Sequence, residues 1–314
     1  MTMEHARAAV AGKPKVVFVL GATATGKSKL AIALAKRFNG EVINADKIQV
    51  HAGAPIITNK VTEEEQDGVR TTSSACCRPT PSSPRRTSGA RRSPPSPAWS
   101  PPAASRSSPA APTRDGAAFR ARHDVLFIWA DAAPELLEWY VALRVDDMVA
   151  RGLVAEARAA FDAAGAGRGD DVDYSRGLRR AIGLPEMHAY LVAEREGAGA
   201  GEADELAALL ARAVREIKDN TCRLARVQVG KIRRLSRLDG WDVRRVDVTP
   251  VFARMADGTA CHHQTWKTLV WEPCEEMVMH FLETPAAPTA FSRRVHHGDR
   301  GRETGRAVEA VEAA

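Results

Sequence analysis

The chain has 314 residues, a length for one large domain or two modest ones, and its 44% apolar content is enough to build a core. A net charge of +6 suits anionic partners such as nucleotides or RNA, and no apolar run approaches the roughly 20 residues of a membrane span. The five cysteines are odd in number and show no paired framework, which argues against a secreted disulfide scaffold and for a reduced, intracellular setting.

The leader from Met1 to Lys15 is alanine-rich and carries Arg7, Lys13 and Lys15, but it is too short and too poor in serine to read as a transit peptide. Val16-Val17-Phe18-Val19-Leu20 predicts a strand, and Lys29-Leu30-Ala31-Ile32-Ala33-Leu34-Ala35 predicts a helix. Between them stands Gly21-Ala22-Thr23-Ala24-Thr25-Gly26-Lys27-Ser28, which matches G-x-x-x-x-G-K-[ST]. Strand, glycine loop and helix are the setting in which this P-loop pattern is credible. The glycines let backbone N–H groups turn toward phosphate oxygens, and the helix N-terminus adds a positive dipole end. Lys27 supplies a point charge and the Ser28 hydroxyl is a candidate Mg2+ ligand. The loop predicts a diphosphate or triphosphate without saying which molecule carries it.

Glu41-Val42-Ile43-Asn44-Ala45-Asp46 reads as a second strand ending in an acid. In parallel α/β folds the ligand crevice lies at the carboxyl ends of the strands, which puts Asp46 beside the loop. Two roles fit it: a general base or outer Mg2+ ligand, or an acid that caps a turn. Thr23 is a candidate substrate contact, a plain loop hydroxyl being the alternative. From Thr71 to Thr113 the composition changes. There is no Leu, Ile, Val, Met, Phe, Tyr, Asp or Glu, and Trp99 is the one large apolar side chain. Such a segment buries too little surface to offset its ordering entropy and reads as disordered.

Order returns near Arg120. Val125-Leu126-Phe127-Ile128-Trp129 predicts a buried strand ending at Asp131, and Pro134 onward has helical spacing. A long helix is expected from about Ala203 to Leu238, with a basic stripe at Arg215, Lys218, Arg223, Arg226, Lys231, Arg233 and Arg234. That stripe fits either a phosphate clamp or a solvated helix face. Cys261-His262-His263 with Cys274 matches no standard zinc spacing, and the tail after Pro285 reads as loose. The expected organisation is a P-loop N-terminal half (1–70), a low-complexity segment (71–113), the rest of an α/β core with a helical substrate-binding part (114–284), and the tail (285–314).

Several of these runs resemble plant adenylate isopentenyltransferases, the cytokinin-forming relatives of tRNA dimethylallyltransferases. They are Gly21 to Ala31, Asn44-Ala45-Asp46-Lys47-Ile48-Gln49-Val50, Thr58-Asn59-Lys60-Val61-Thr62, Tyr174 to Gly183 and Glu216 to Gln228. The resemblance implies a P-loop NTPase-like parallel sheet flanked by helices, and transfer of a dimethylallyl group from dimethylallyl diphosphate to N6 of the adenine of AMP, ADP or ATP. It implies that Asp46 is the general base, with Thr23 contacting the same region. Lys27 and Ser28 with Mg2+ would stabilise the leaving diphosphate on the loop from Gly21 through Ala22, Thr23, Ala24, Thr25 and Gly26. Lys218, Arg226 and Lys231 would lie near nucleotide or diphosphate oxygens. Val227 stands where the family usually has a second basic residue, which weakens phosphate binding there. A plastid or cytoplasmic location is implied, with the mitochondrion as an alternative.

The chain departs from the family at 71–113, where His-His-Leu-Leu-Gly and a strand and turn of Pro-Val-Val-Ala-Gly-Gly-Ser-Asn are missing. Arg70-Thr71-Thr72-Ser73-Ser74-Ala75 can be encoded so that codons starting one nucleotide earlier read His-His-Leu-Leu-Gly, and Ser105 to Thr113 can hide the second motif in the same way. The segment therefore reads as out-of-frame translation, with a true insert as the alternative, and it predicts the loss of a central strand and impaired activity. Three other functions compete: a tRNA dimethylallyltransferase, for whose anticodon-gripping insert the chain has little room; a small-molecule kinase using the same loop; and a relic that binds nucleotide but transfers nothing.

Overall fold

The computed structural model describes residues 13–49, 51–73, 114–163, 172–197, 203–284 and 307–312. Strand β1 (Lys15–Gly21) is buried at every position after Lys15. A strand covered on both faces reads as an unbroken apolar run, which is why the sequence shows no alternation here. The P-loop follows, then α1 (Lys27–Phe38), which ends at Asn39 in a left-handed conformation. Next come β2 (Glu41–Asn44), the short α2 (Glu63–Gln66) closed by a Thr62–Glu65 capping box, and β3 (Thr71–Ser73). Then follow α3 (Arg114–Arg122), β4 (Asp124–Asp131), α4 (Pro134–Ala150) with proline in its first turn, and α5 (Leu153–Ala163). The chain continues through α6 (His188–Glu196), α7 (Ala203–Leu235), β5 (Val243–Asp247), α8 (Thr249–Ala256) and α9 (His262–Trp266). A π-helical turn (Lys267–Trp271) joins α9 to α10 (Glu272–Glu283), and β6 spans Ala307–Glu312.

The six strands form one sheet in the order β3-β2-β6-β1-β4-β5, with every neighbouring pair parallel. The register sets Lys15 opposite Asp124 and Gly21 opposite Ala130, so β1 and β4 end together. One face of β1, through Val17 and Val19, packs into a core with α1, α8 and α10; the other, through Val16, Phe18 and Leu20, meets Phe127, Trp129, Phe119, Ile232 and Trp241. A separate helical core joins Val145 and Met148 of α4 to Leu153, Met187, Leu191 and Ile217. Helix α7, about 50 Å long at 1.5 Å per residue, reaches from this helical core to the sheet. Its buried stripe is Ala213, Ile217, Thr221, Ala225, Gln228 and Ile232, spaced by three and four.

Two stretches expected to lack regular structure contribute strands. Thr71–Ser73, at the start of the low-complexity segment, pairs with Val42–Asn44, as β-branched threonines favour. Ala307–Glu312, within the tail expected to be loose, lies between β2 and β1, opposite Glu41–Asn44 and Val16–Gly21. That slot is central, and an empty one would leave ladder groups of β1 and β2 without partners. The sheet is closed there by the far end of the chain, so the expected gap is filled. The remaining expectations for 74–113, its disorder and its out-of-frame origin, lie outside the described residues.

Candidate active site

Because every strand pairing is parallel, the segments after β1, β2 and β4 emerge along one edge of the sheet. The P-loop sits where the chain has left central β1, beside the end of β4. A Cβ on Gly21 would meet Thr25 Oγ1 at 2.3 Å and the carbonyl oxygen of Ala130 at 3.1 Å, so only glycine fits. Thr25 Oγ1 donates to the Ala22 carbonyl at 2.9 Å and pins the turn. Ala24 (φ 73°) and Gly26 (φ 81°) are left-handed. For an alanine that conformation costs about 1 kcal/mol, the kind of strain kept at binding sites. No side chain caps the start of α1 at Gly26, so the first-turn N–H groups are left to an anion.

Lys27 and Ser28 line a narrow cleft with Asn44, Asp46, Gln49 and Thr71. Three of the residues predicted for the site, from two separate strand ends, therefore meet. Asp46 is 8% exposed. Its Oδ1 accepts from the N–H groups of Ile48 (2.7 Å) and Gln49 (3.1 Å), and its own N–H donates to Asn44 Oδ1 at 2.9 Å. Asn44 Nδ2 donates to Gln49 Oε1, and Gln49 Nε2 donates to the Asn59 carbonyl, so the loop after β2 is tied to itself. Asp46 caps a turn and lines the same cleft as the phosphate-loop lysine. The cleft is tight, with a volume of about 20 Å3. That is room for about one water, against the roughly 300 Å3 or more of an ordinary small-molecule site.

Thr23 is buried and held from two sides. Its backbone N–H donates to Gln228 Oε1 at 2.7 Å, and its Oγ1 accepts from Arg144 Nη2 at 2.7 Å. A guanidinium can only donate, so the Thr23 hydroxyl is fixed as an acceptor toward Arg144 and keeps its proton for another partner. Thr23 is not among the residues lining the Asp46 cleft.

The basic residues predicted on α7 do not line this cleft. Lys218 pairs with Asp146 at 2.6 Å and Arg226 with Glu138 at 2.6 Å, both acids of α4. The hydrogen bond from Arg226 holds the Glu138 carboxyl below its ordinary range. Lys231 is half-buried, and neither it nor the other two lines the cleft. Arg144, Gln228 and Asp131 were not singled out for the site from the sequence. Gln228 had one usable signal, as an amide on the apolar stripe of α7; Arg144, between Leu143 and Val145, had none. Asp131, 2% exposed at the end of β4, pairs with Arg245 at 2.7 Å. Among the described residues, no cluster of three or more His, Cys, Asp or Glu gathers as a metal site would, and no helix is long and apolar enough to cross a membrane.

A parallel sheet centred on a phosphate loop, with an acid that follows the next strand lining the same cleft as the loop lysine, defines a P-loop enzyme of the α/β class. The isopentenyl transferase family profile matches residues 14–71, and the IPP transferase profile matches residues 101–234. Adenylate isopentenyltransferase 5 (chloroplastic) of Arabidopsis thaliana is 40% identical over 86% of this chain and 81% of its own length. Adenylate isopentenyltransferase 7 (mitochondrial) of the same plant is 36% identical over 86% of this chain and 80% of its own. A solved eukaryotic dimethylallyltransferase acting on tRNA superposes with a TM-score of 0.57 at 19% identity, over 88% of this chain and 83% of that one, which is a likeness of fold. The chain belongs to the isopentenyl transferase family.

Proposed function

We propose that the chain transfers the dimethylallyl group of dimethylallyl diphosphate to N6 of the adenine of a free nucleotide, AMP, ADP or ATP. The observation that carries this is Asp46 in one cleft with Lys27 and Ser28. N6 attacks the allylic carbon, the carbon–oxygen bond to diphosphate breaks, and the N6 proton passes to the Asp46 carboxylate. Lys27 and the N–H groups at the start of α1 meet charge as it develops on the leaving diphosphate. Ser28 and Asp46 place two hard oxygen donors on the cleft, the chemistry Mg2+ prefers. Bound through Ser28, the ion would neutralise part of the diphosphate charge.

With so small a cleft, the residues around it have to part before the donor enters. The chloroplastic and mitochondrial relatives favour a plastid or mitochondrion over the cytoplasm. The test is a competition: labelled dimethylallyl diphosphate with equal concentrations of ADP and an anticodon stem-loop RNA carrying the target adenosine. Label in the nucleotide supports the proposal, and label in the RNA overturns it in favour of tRNA modification.

A further inference from the structure

A second cavity opens on the outer side of α1, with a volume of about 880 Å3. That is the size of an ordinary small-molecule site. It touches the Asp46 cleft at Ser28, Ile32 and Val61 but has walls of its own. Its cations are Lys29, Lys36, Arg37, Lys60, Arg151 and Lys267, against two carboxylates, Glu65 and Asp67. Lys36 pairs with Asp67, Arg37 with Glu275 and Arg151 with Asp147. Among the described residues Lys29, Lys60 and Lys267 make no ion pair, the Lys60 ammonium bonding only to the neutral carbonyls of His51 and Gly53, which leaves an excess of positive charge along the cavity.

The far wall is the π-helical turn. In an α-helix two residues five apart project about 140° away from one another. Here Glu272 N–H bonds back to the Lys267 carbonyl, five residues before it, and the widened turn brings Trp266 and Trp271 onto one side. Their ring centroids lie 6.1 Å apart with planes at 20°, and Lys29 Nζ stands 4.7 Å from the Trp266 centroid. Both indoles are half-buried and line the cavity. π-turns are rare and recur at functional sites. Here the turn serves to gather two aromatic faces beside unneutralised cations.

Flat aromatic surface next to positive charge is what a base with phosphates attached requires. We propose that this cavity is a second nucleotide site, in which the base stacks on the Trp266–Trp271 pair and the phosphates lie against Lys29, Lys60 and Lys267. The proposal rests on the reading that the chain handles adenine nucleotides, but the ligand here lies on the outer side of α1 and meets the loop that takes the donor's diphosphate only at Ser28.

The test follows tryptophan fluorescence of the full chain titrated with ADP, with no donor present. In Lys27→Ala, which disarms the phosphate loop, the saturable ADP response is expected to persist with its Kd within about twofold of wild type. Adding Lys267→Glu and Lys29→Glu, both on exposed positions, is expected to raise that Kd at least about tenfold with an unchanged melting temperature. Trp271→Phe is expected to reduce the amplitude. Inorganic diphosphate is expected to compete at least about tenfold more weakly than ADP. Loss of the response in Lys27→Ala alone, indifference to the charge reversals, or equal competition by diphosphate would each overturn the proposal. ADP prenylation without this response would sink the second site and leave the transferase reading standing. The response without prenylation would do the reverse.

Discussion

Asp46 carries two roles that a pair of substitutions separates. In Asp46→Asn, Oδ1 remains an acceptor for Ile48 N–H and Gln49 N–H, the bonds now at 2.7 and 3.1 Å. The acceptor loses its charge, which weakens each bond, so the expected cost is below about 1 kcal/mol. Asp46→Ala leaves both partly buried N–H groups without this acceptor. At about 1 kcal/mol each, that costs about 2 kcal/mol, or about 3 °C in melting temperature for a chain of this size. Neither variant retains a base for the N6 proton, and loss of a general base lowers kcat about 10²–10⁴-fold. Thermal denaturation and steady-state prenyl transfer to ADP, run on both variants, check this. The expected outcome is two equally slow enzymes of different stability. Asp46→Asn at wild-type kcat would refute the base assignment. A loss of activity in step with the loss of folded protein would leave Asp46 a turn cap only.

Arg144→Met removes the donor to Thr23 Oγ1, a charge-assisted bond worth about 1.5–3 kcal/mol, and is expected to lower kcat about tenfold or more while KM for the nucleotide changes little. Gln228→Leu leaves the buried Thr23 N–H without its acceptor and should lower unfolding free energy by about 1–3 kcal/mol in urea titrations. Deleting residues 285–314 removes β6 from the centre of the sheet; at about 1 kcal/mol per ladder bond the loss is on the order of 5 kcal/mol. An unchanged urea midpoint would contradict the placement of that strand. Burial pushes the Cys274 thiol from 9.0 up to about 12. At pH 8 only about 10⁻⁴ of it is then thiolate, so iodoacetamide should label exposed Cys261 and spare Cys274 by peptide mass spectrometry. The raised value also means that the stability this thiol contributes is fully present below pH 9 and is lost as pH rises toward 12.

The phosphate loop and Asp46 were legible because their chemistry is local. A strand, two glycines and a lysine lie within a dozen residues, and Asp46 follows directly on the next strand. The long helix α7 was legible for the same reason, through its periodicity. Its basic stripe was legible as a stripe, but not the acids of α4 that pair with Lys218 and Arg226, which spacing on α7 cannot reveal. Thr23 is set by Arg144 and Gln228, 121 and 205 residues away, and only the packing of α4 and α7 on the loop brings them there. Ala307–Glu312 carries two glutamates and does not read as a central strand; its place follows from backbone pairing with β1 and β2. The π-turn that joins Trp266 to Trp271 breaks the helical period on which sequence reading depends.

The claim at the centre of this account is that the Gly21–Ser28 loop seats a prenyl donor's diphosphate rather than a nucleotide whose γ-phosphate is transferred. The most direct measurement incubates the purified full chain with dimethylallyl diphosphate, ATP and Mg2+, and quantifies diphosphate, orthophosphate and prenylated nucleotide together. The account predicts diphosphate and N6-dimethylallyl ATP in equal amounts, both lost in Asp46→Asn. Orthophosphate or ADP formed without any prenylated product would contradict it.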